Sequence, residues 1–280
     1  SQEELSEAKN LINCCQAYDE TYRDPYLSNM LNFDTNMPAF FLYYEKGELV
    51  GLLTVYADDP DVELAILVHP NHRCQGIARA LYRSFEKETA SYPIESVTFQ
   101  TERIFLERHP DFASNWGLVE DEETETWLGK DRRPYPLANV SNLEVLLADR
   151  SYQDQISQLK FQAFSEDYES REVVDRYVAK ALKDPESLLY ILLKNGQVIG
   201  TCTVDLSSNT NYLFGLAIAE LERGKGYGTY LAKSLINQLI EQNDKAFQIA
   251  VEDSNLGAKR LYEKIGFVKQ TQVVYLKAKV

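Results

Sequence analysis

Residues 216 to 229 are the most informative part of the sequence and read Leu216-Ala217-Ile218-Ala219-Glu220-Leu221-Glu222-Arg223-Gly224-Lys225-Gly226-Tyr227-Gly228-Thr229. It begins as the apolar end of a strand and closes in a glycine-rich turn. Behind the turn, Tyr227, Leu231, Leu235 and Leu239 recur every four residues, which predicts a helix with one buried face. The sequence therefore predicts a strand, a glycine turn and an amphipathic helix in succession.

This turn is suited to bind an anion. The first N–H groups of a helix have no partner within it, and the helix dipole adds partial positive charge there. Gly226 removes the Cβ that would hold a ligand away, while Arg223 and Lys225 add positive charge. Residue 229 is Thr, so Gly-x-Gly-x-x-Gly is not completed, and Gly-x-x-x-x-Gly-Lys-Ser/Thr does not occur in the chain. Neither a dinucleotide fingerprint nor a P-loop is supported.

The same turn occurs twice in the chain. Residues 73–78 correspond to 223–228 at an offset of 150, and residues 47–51 correspond to 196–200 at an offset of 149. A period this long indicates a duplicated domain rather than a solenoid repeat. We expect an N-terminal domain over 1–133, a proline-containing linker over 134–141 and a C-terminal domain over 142–280.

Each copy predicts a mixed sheet with helices, an α+β fold. In the C-terminal copy we expect helices at Tyr152–Phe164, Ser170–Lys183, 227–240 and Asn255–Lys264, and strands at Leu143–Ala148, Leu188–Lys194, Gln197–Leu206, Tyr212–Ala219, Phe247–Val251 and from Phe267 onward. In the N-terminal copy we expect a helix at Leu5–Asp19, strands at Phe40–Tyr44, Leu49–Tyr56 and Leu64–Val68, and a helix that buries Ile77, Leu81 and Phe85.

Composition excludes several other classes. The chain has 280 residues with 29 Lys+Arg and 43 Asp+Glu, a net charge of −14. Residues 1–140 hold 25 acidic and 12 basic side chains, and the rest holds 18 and 17. Nucleic-acid binding usually needs a basic surface, so we do not expect it. The longest apolar stretches, such as Leu188–Leu193, are too short to cross a membrane, and we expect a cytoplasmic protein.

Metal and disulfide chemistry are not expected either. The four cysteines, Cys14, Cys15, Cys74 and Cys202, form no Cys-x-x-Cys, and the three histidines fit no zinc motif.

The repeated hexapeptides carry a family resemblance. Arg73-x-x-Gly76-x-Ala78 and Arg223-x-x-Gly226-x-Gly228 both fit Arg/Gln-x-x-Gly-x-Gly/Ala, and Asn255-x-x-Ala258-x-x-Leu261-Tyr262 with Gly266-Phe267 follows the second. With these motifs the chain resembles the GNAT superfamily of acyl-CoA-dependent N-acetyltransferases, in its tandem two-domain form. The resemblance covers most of 143–280 and, more faintly, 5–130. It implies two tandem acyl-CoA N-acyltransferase folds.

The resemblance also implies a site, with acetyl-CoA as co-substrate and no metal. The CoA pyrophosphate would bind residues Arg223, Gly224, Lys225, Gly226, Tyr227, Gly228 and Thr229, and the pantetheine arm would bind the backbone of Leu216, Ala217 and Ile218. Asn255 would contact the arm, and Tyr262 would protonate the departing thiolate. The alternative for Tyr262 is a core aromatic. The matching cofactor positions of the first copy are Val68, Arg73, Gln75, Gly76 and Ala78.

Two departures from the family pattern matter. Ala113 aligns with Tyr262 and Leu106 with Asn255, so we expect the first copy to be catalytically silent, and its CoA binding stays open. Some relatives carry a general base Glu on the fifth strand, where this chain has Ala250. Candidate replacements are Glu252, Asp205 and Tyr212, and the sequence assigns none of them.

Two functions follow. The first is acetyl transfer from acetyl-CoA directly to a small-molecule or peptide amine by the C-terminal domain, where an acidic surface could concentrate a cationic acceptor. The alternative is a non-catalytic CoA-sensing or protein-binding module. The acceptor and the oligomeric state are left open by the sequence.

Overall fold

The chain folds into two compact units in this computed structural model, which describes residues 1–138, 140–165 and 170–279. Unit 1 consists of Ser1–Trp127 with Gln270–Val280, and unit 2 of Leu128–Lys269. The predicted linker has no regular secondary structure over 134–138, and its residue 139 lies outside the described residues. Each unit is a mixed sheet with helices, which confirms the predicted α+β class.

Unit 1 carries the first copy of the repeat. Its helices are α1 (Gln2–Asp19), α2 (Ile77–Thr89), α3 (Arg103–Arg108) and α4 (Phe112–Trp116), and its strands are β1 (Phe40–Glu45), β2 (Glu48–Tyr56), β3 (Asp61–Val68), β4 (Ser96–Glu102), most of β5 (Leu118–Lys130) and most of β11 (Val268–Ala278). These strands follow the order β1-β2-β3-β4-β11-β5. The pair β3–β4 is parallel, and β1–β2, β2–β3 and β4–β11 are antiparallel.

Unit 2 carries the second copy. Its strands are β6 (Leu143–Leu147), β7 (Ser187–Lys194), β8 (Gln197–Asp205), β9 (Asn211–Ile218) and β10 (Phe247–Glu252), and its helices are α5 (Gln153–Ala163), α6 (Arg171–Ala181), α7 (Tyr227–Gln242) and α8 (Leu256–Lys264). The strands follow the order β10-β9-β8-β7-β6, with β9–β10 parallel and the other pairs antiparallel.

The four-residue periodicity behind each glycine turn forms the core of each unit. In α7, Leu231, Leu235 and Leu239 are all 0% exposed and pack with strand residues of unit 2. In α2, Ile77 and Leu81 are buried in the core of unit 1. Burying one apolar stripe fixes each helix against its sheet, and so fixes the turn in front of it.

The last strand belongs to a different unit from the one expected. The sequence analysis placed residues up to 280 in the C-terminal domain, whereas β11 pairs with β4 of unit 1, from Val273↔Glu102 to Lys277↔Thr98. Val273 and Leu276 are 0% exposed. Alternating apolar residues predict a strand but carry no information about which edge it joins, so the pairing had no signal in the sequence.

Among the described helices, none combines the length and apolar character that a bilayer crossing requires.

Candidate active site

The glycine turn of unit 2 has the geometry of an anion site. Gly226 is the N-cap of α7, with φ at +84°, a conformation that strongly favours glycine. A Cβ placed on Gly226 would meet no described atom within 4 Å, so the space in front of the helix is open. The N–H groups of the first turn, at Tyr227 and Gly228, therefore face this space with the positive end of the helix dipole.

The two cations of this turn are already engaged. The Arg223 Nε donates to the carbonyl of Ile218 at 3.0 Å, which ties the turn to the end of β9. The Lys225 Nζ donates to the carbonyl of Leu221 at 2.7 Å and to Glu222 at 3.0 Å. The two Nη groups of Arg223 make no hydrogen bond to a described residue, so they and the backbone amides are the donors that the turn offers to a ligand.

Unit 1 repeats the turn and differs in its arginine. Gly76 has φ at +85°, and the Arg73 Nε donates to the carbonyl of Val68 at 3.0 Å, as Arg223 does to Ile218. The Arg73 guanidinium also makes a bidentate ion pair with buried Asp19, at 2.7 and 2.6 Å. Its charge is thus neutralised within unit 1.

A cavity of about 720 Å³ opens beside this first turn. Of the predicted cofactor positions, Val68, Arg73, Gly76 and Ala78 line it. Gln75 is exposed and its side chain faces the Asn71 carbonyl at 3.5 Å. Unit 1 therefore has room for a ligand at its turn.

The strand that leads into the turn is bulged in unit 2 and regular in unit 1. The register between β8 and β9 shifts between Thr201 and Thr203, and Gly215 on β9 has φ at +58°. The β2–β3 register runs without a shift from Tyr56↔Glu63 to Gly51↔Val68. A bulge takes backbone groups out of the regular ladder, so unit 2 differs from unit 1 in its mid-strand backbone.

The same strand separates from β10 where the bulge begins. The β9–β10 pairing ends at Leu213↔Ile249, while β9 continues to Ile218 and β10 to Glu252. The backbone of Leu216, Ala217 and Ile218 therefore has a free edge facing the gap. An extended ligand could add to that edge as a strand does.

Tyr262 lies in the core on α8. Its side chain is 4% exposed and its ring packs edge-on against Phe267, with centroids 5.7 Å apart. Burial raises the pKa of Tyr262 well above the ordinary range of a phenol. The hydroxyl makes no hydrogen bond to another described residue, and its oxygen is not one of the fully buried unpartnered atoms, so it stays accessible to a small partner.

Asn255 has a structural contact of its own. It is the N-cap of α8, and its side-chain oxygen accepts a 3.0 Å hydrogen bond from the Ala258 N–H. Its side-chain amide group is the part available to a ligand.

The three candidate bases lie away from the bulge or face solvent. Asp205 pairs with Tyr212 at the opening of β9, three residues before the bulge, and accepts hydrogen bonds from the N–H and hydroxyl of Ser207. Burial raises the pKa of Asp205 to about 6. Tyr212 stacks on Phe214, and Glu252 is exposed.

Lys160 lies at the bulge and is a residue that the sequence motifs did not predict. Lys160 on α5 is 1% exposed, and its Nζ lies 2.7 Å from where a Cβ on Gly215 would be. The available signal was its helical phase, because Lys160 follows Ile156 by four residues and so falls on the buried stripe.

Within the described residues, His, Cys, Asp and Glu side chains form no group of three that could hold a metal ion.

Both copies of the repeat are similar in sequence to known proteins. The model of the acetyltransferase (GNAT) family matches residues 5–130 and 153–267. A mycothiol acetyltransferase from Clavibacter sepedonicus is 25% identical over 230 residues, which covers 78% of this chain and 73% of that protein.

Solved structures share the fold. A GCN5-related N-acetyltransferase from Sphaerobacter thermophilus superposes with a TM-score of 0.69 at 17% identity, covering 96% of this chain and 90% of that one. A tandem GNAT protein from the clavulanic acid biosynthesis pathway also gives 0.69, at 16% identity, covering 100% and 96%. Together with the two family matches and the two repeated turns, these likenesses establish that the chain belongs to the acetyltransferase (GNAT) family, in tandem form.

Proposed function

We propose that this chain transfers an acetyl group from acetyl-CoA directly to an amine, and that the C-terminal copy performs the reaction. The observation that carries the proposal is the bulge at Gly215, where β9 also separates from β10. Both copies have such a gap, because β3 separates from β4 after Leu64↔Phe99. The bulge, however, occurs in the copy that keeps Tyr262, whereas the first copy has a regular β2–β3 register and Ala113 at the matching position.

The residues present fit acetyl-CoA. The open space before Gly226 and the amides of the first turn of α7 suit the pyrophosphate. The free edge of Leu216, Ala217 and Ile218 suits the amide groups of the pantetheine arm. The side-chain amide of Asn255 would reach the same arm. Thr229 would contribute its backbone N–H, and Lys225 would add to the positive charge of the turn.

Catalysis would depend on two groups of this unit. A backbone N–H freed by the bulge would polarise the thioester carbonyl and stabilise the oxyanion that forms on attack. The Tyr262 hydroxyl, protonated at any working pH, would donate its proton to the sulfur as the C–S bond breaks. The unpartnered state of this hydroxyl in the described chain supports a ligand as its partner.

The acceptor class is proposed as an amine, and the similarity to a protein named for acetyl transfer supports this choice. We test it with a panel of a polyamine (spermidine), an aminoglycoside (kanamycin), an amino sugar (glucosamine), phenylalaninamide and glycylglycine. The measurement is thiol release from acetyl-CoA, with and without each amine. Release that depends on at least one amine is expected; release that none of them stimulates would count against the proposal.

A second function is favoured by the cavity in unit 1. A space of about 720 Å³ beside Gly76 is large enough for a bound nucleotide arm, so unit 1 is a candidate CoA-sensing site without chemistry. Calorimetric titration of the full chain with CoA tests this. Two binding equivalents, with one lost in Gly76→Glu, support a sensing role; one equivalent that Gly76→Glu leaves unchanged excludes it.

A further inference from the structure

Lys160 is a buried amine that makes no hydrogen bond or ion pair within the part of the chain that the structure describes. It lies on α5 with 1% of its surface exposed. Its Nζ lies against the backbone of Gly215, 2.7 Å from where a Cβ would be. A glycine at this point of the bulge is what allows the amine to reach the strand.

The described groups around this amine are apolar or neutral. The rings of Phe164 and Tyr177 from α5 and α6 have centroids 5.9 and 5.5 Å from the Nζ. The Cys202 thiol of β8 interacts with it electrostatically from the core on the α7 side, and burial raises the pKa of that thiol to about 12, so it carries no charge. From β9 the nearest titratable residue is Tyr212, three positions before Gly215. Burial consequently lowers the pKa of Lys160 to about 8.

Two more polar groups on the same side lack partners. The hydroxyl of Ser157, one turn before Lys160 on α5, and that of Thr203, opposite Phe214 on β8, are buried without a hydrogen bond in the described chain. Natural structures satisfy nearly all such groups. These two unsatisfied hydroxyls, together with an amine that has no hydrogen bond to a described residue, point to a polar ligand on this side of the sheet.

Lys160 and Tyr262 lie on opposite sides of the sheet. Leu216 and Ile218 contact Gly228 of α7, whereas Gly215 faces Lys160 of α5. Tyr262 belongs to the core on the α7 side, with Leu231 and Leu235. Ile249 and Val251 of β10 belong to that core too, so strand alternation turns Ala250 toward the α5 side.

We propose that Lys160 is the base that takes the proton from the acceptor amine. The inference rests on the proposed acetyl transfer. Some relatives have a glutamate as general base where this chain has Ala250, and Lys160 would take over that role. An acceptor that enters on the α5 side would meet Lys160, while the thiol would leave beside Tyr262.

The step balances in atoms and electrons. The amine lone pair forms the N–C bond to the thioester carbonyl, and the C–S bond breaks with its electron pair on sulfur. The Nζ lone pair of Lys160 takes a proton from the acceptor nitrogen, and the Tyr262 hydroxyl gives one to sulfur. The Lys160 ammonium then returns a proton through solvent to the Tyr262 oxygen, which restores both groups.

The test is the pH dependence of kcat for thiol release with the amine from the panel that responds. Four proteins are compared: wild type, Lys160→Met, Lys160→Arg and the exposed control Lys269→Met. Wild-type kcat should rise with pH and level off above about pH 8. In both Lys160 variants, kcat at pH 8 should fall by about 100-fold or more, and the rise of kcat with pH should disappear. The KM for acetyl-CoA should change by less than about threefold. Lys269→Met should behave as wild type.

The outcomes separate this proposal from the one on which it rests. If no amine stimulates wild type, the proposed transfer fails and the role of Lys160 fails with it. If wild type responds and Lys160→Met keeps its rate, only the base assignment is overturned. A normal rate in Lys160→Arg would instead make the residue a fixed cation, and would also overturn it.

A folding measurement guards against a misfolded variant. Methionine matches the length of lysine without the buried charge, so Lys160→Met should melt at a higher temperature than wild type at pH 7. Because the folded pKa is lowered, unfolding takes up a proton between about pH 8 and pH 10.5 and the wild type gains stability there. The difference in melting temperature should therefore shrink as pH rises through that window. A difference that stays constant with pH contradicts the buried, proton-accepting amine.

Discussion

At the scale of single residues, Tyr262 combines a core position with a free hydroxyl. The ring packs against Phe267 and the hydroxyl makes no hydrogen bond to another described residue. Its two possible roles, core aromatic and proton donor, therefore involve different atoms of one side chain. A substitution that removes only the oxygen separates them.

We expect Tyr262→Phe to lower kcat for amine-dependent thiol release by about 100-fold or more, because the proton donor to sulfur is lost. The free energy of unfolding should change by less than about 0.5 kcal/mol, since no hydrogen bond within the described protein is broken. Steady-state kinetics and urea unfolding measure the two effects. A wild-type rate in this variant would show that Tyr262 is only a core residue.

Residue motifs were predictable where the chemistry is local in sequence. Gly226 and its neighbours form a strand, turn and helix within fourteen residues, so periodicity and glycine spacing predicted the turn that the structure has. Lys160 was not predicted, because its contact with Gly215 joins positions that are far apart in the chain. A lysine on a helix is ordinarily solvated, and only the burial of its stripe marks it as different.

At the scale of elements, the bulge in β9 distinguishes the two copies. The copies share the turn, the helix behind it and the arginine that bonds the end of the preceding strand. They differ where unit 2 has Gly215 and unit 1 has Ala65 at the matching offset of 150. A glycine inside a predicted strand is itself a signal of a bulge, so this feature could have been read from the sequence.

Gly215→Ala should impair the reaction more than it impairs folding. A Cβ at φ +58° strains the backbone by about 1–2 kcal/mol, and it would also displace the Lys160 amine. We expect kcat to fall by about tenfold or more.

Gly196→Ala is the matched control, because Gly196 has φ at +81° in the hairpin turn between β7 and β8 and a Cβ there meets no described atom within 4 Å. It should lose similar stability and keep its kcat. If Gly215→Ala and Gly196→Ala had equal kcat values, the bulge would have no role in the reaction.

At the scale of the whole molecule, the chain does not divide where its sequence repeat divides. Unit 1 is completed by β11 from the end of the chain, and Val273, Val274 and Leu276 are 0% exposed there. The duplication was visible in the sequence because motifs recur in order. The pairing partner of the last strand was not, because backbone hydrogen bonds are the same for every edge.

Truncating a buried leucine in each unit tests this division. Leu276→Ala on β11 and Leu239→Ala on α7 both remove a side chain that is 0% exposed, at a cost of roughly 2–5 kcal/mol. We expect hydrogen exchange to show lost protection in β4 for Leu276→Ala and in β9 for Leu239→Ala. Loss of protection in β9 but not β4 for Leu276→Ala would contradict the assignment of β11 to unit 1.

The central claim is that acetyl transfer runs through the anion site in front of α7. The most direct measurement is amine-dependent thiol release from acetyl-CoA by Gly226→Glu, compared with Gly196→Glu, which places the same charge and similar backbone strain in a hairpin of the same unit. A carboxylate at residue 226 repels the pyrophosphate and fills its space, so we expect the rate of Gly226→Glu to fall by about 100-fold or more, with the rate of Gly196→Glu within about threefold of wild type. A wild-type rate in Gly226→Glu would contradict it.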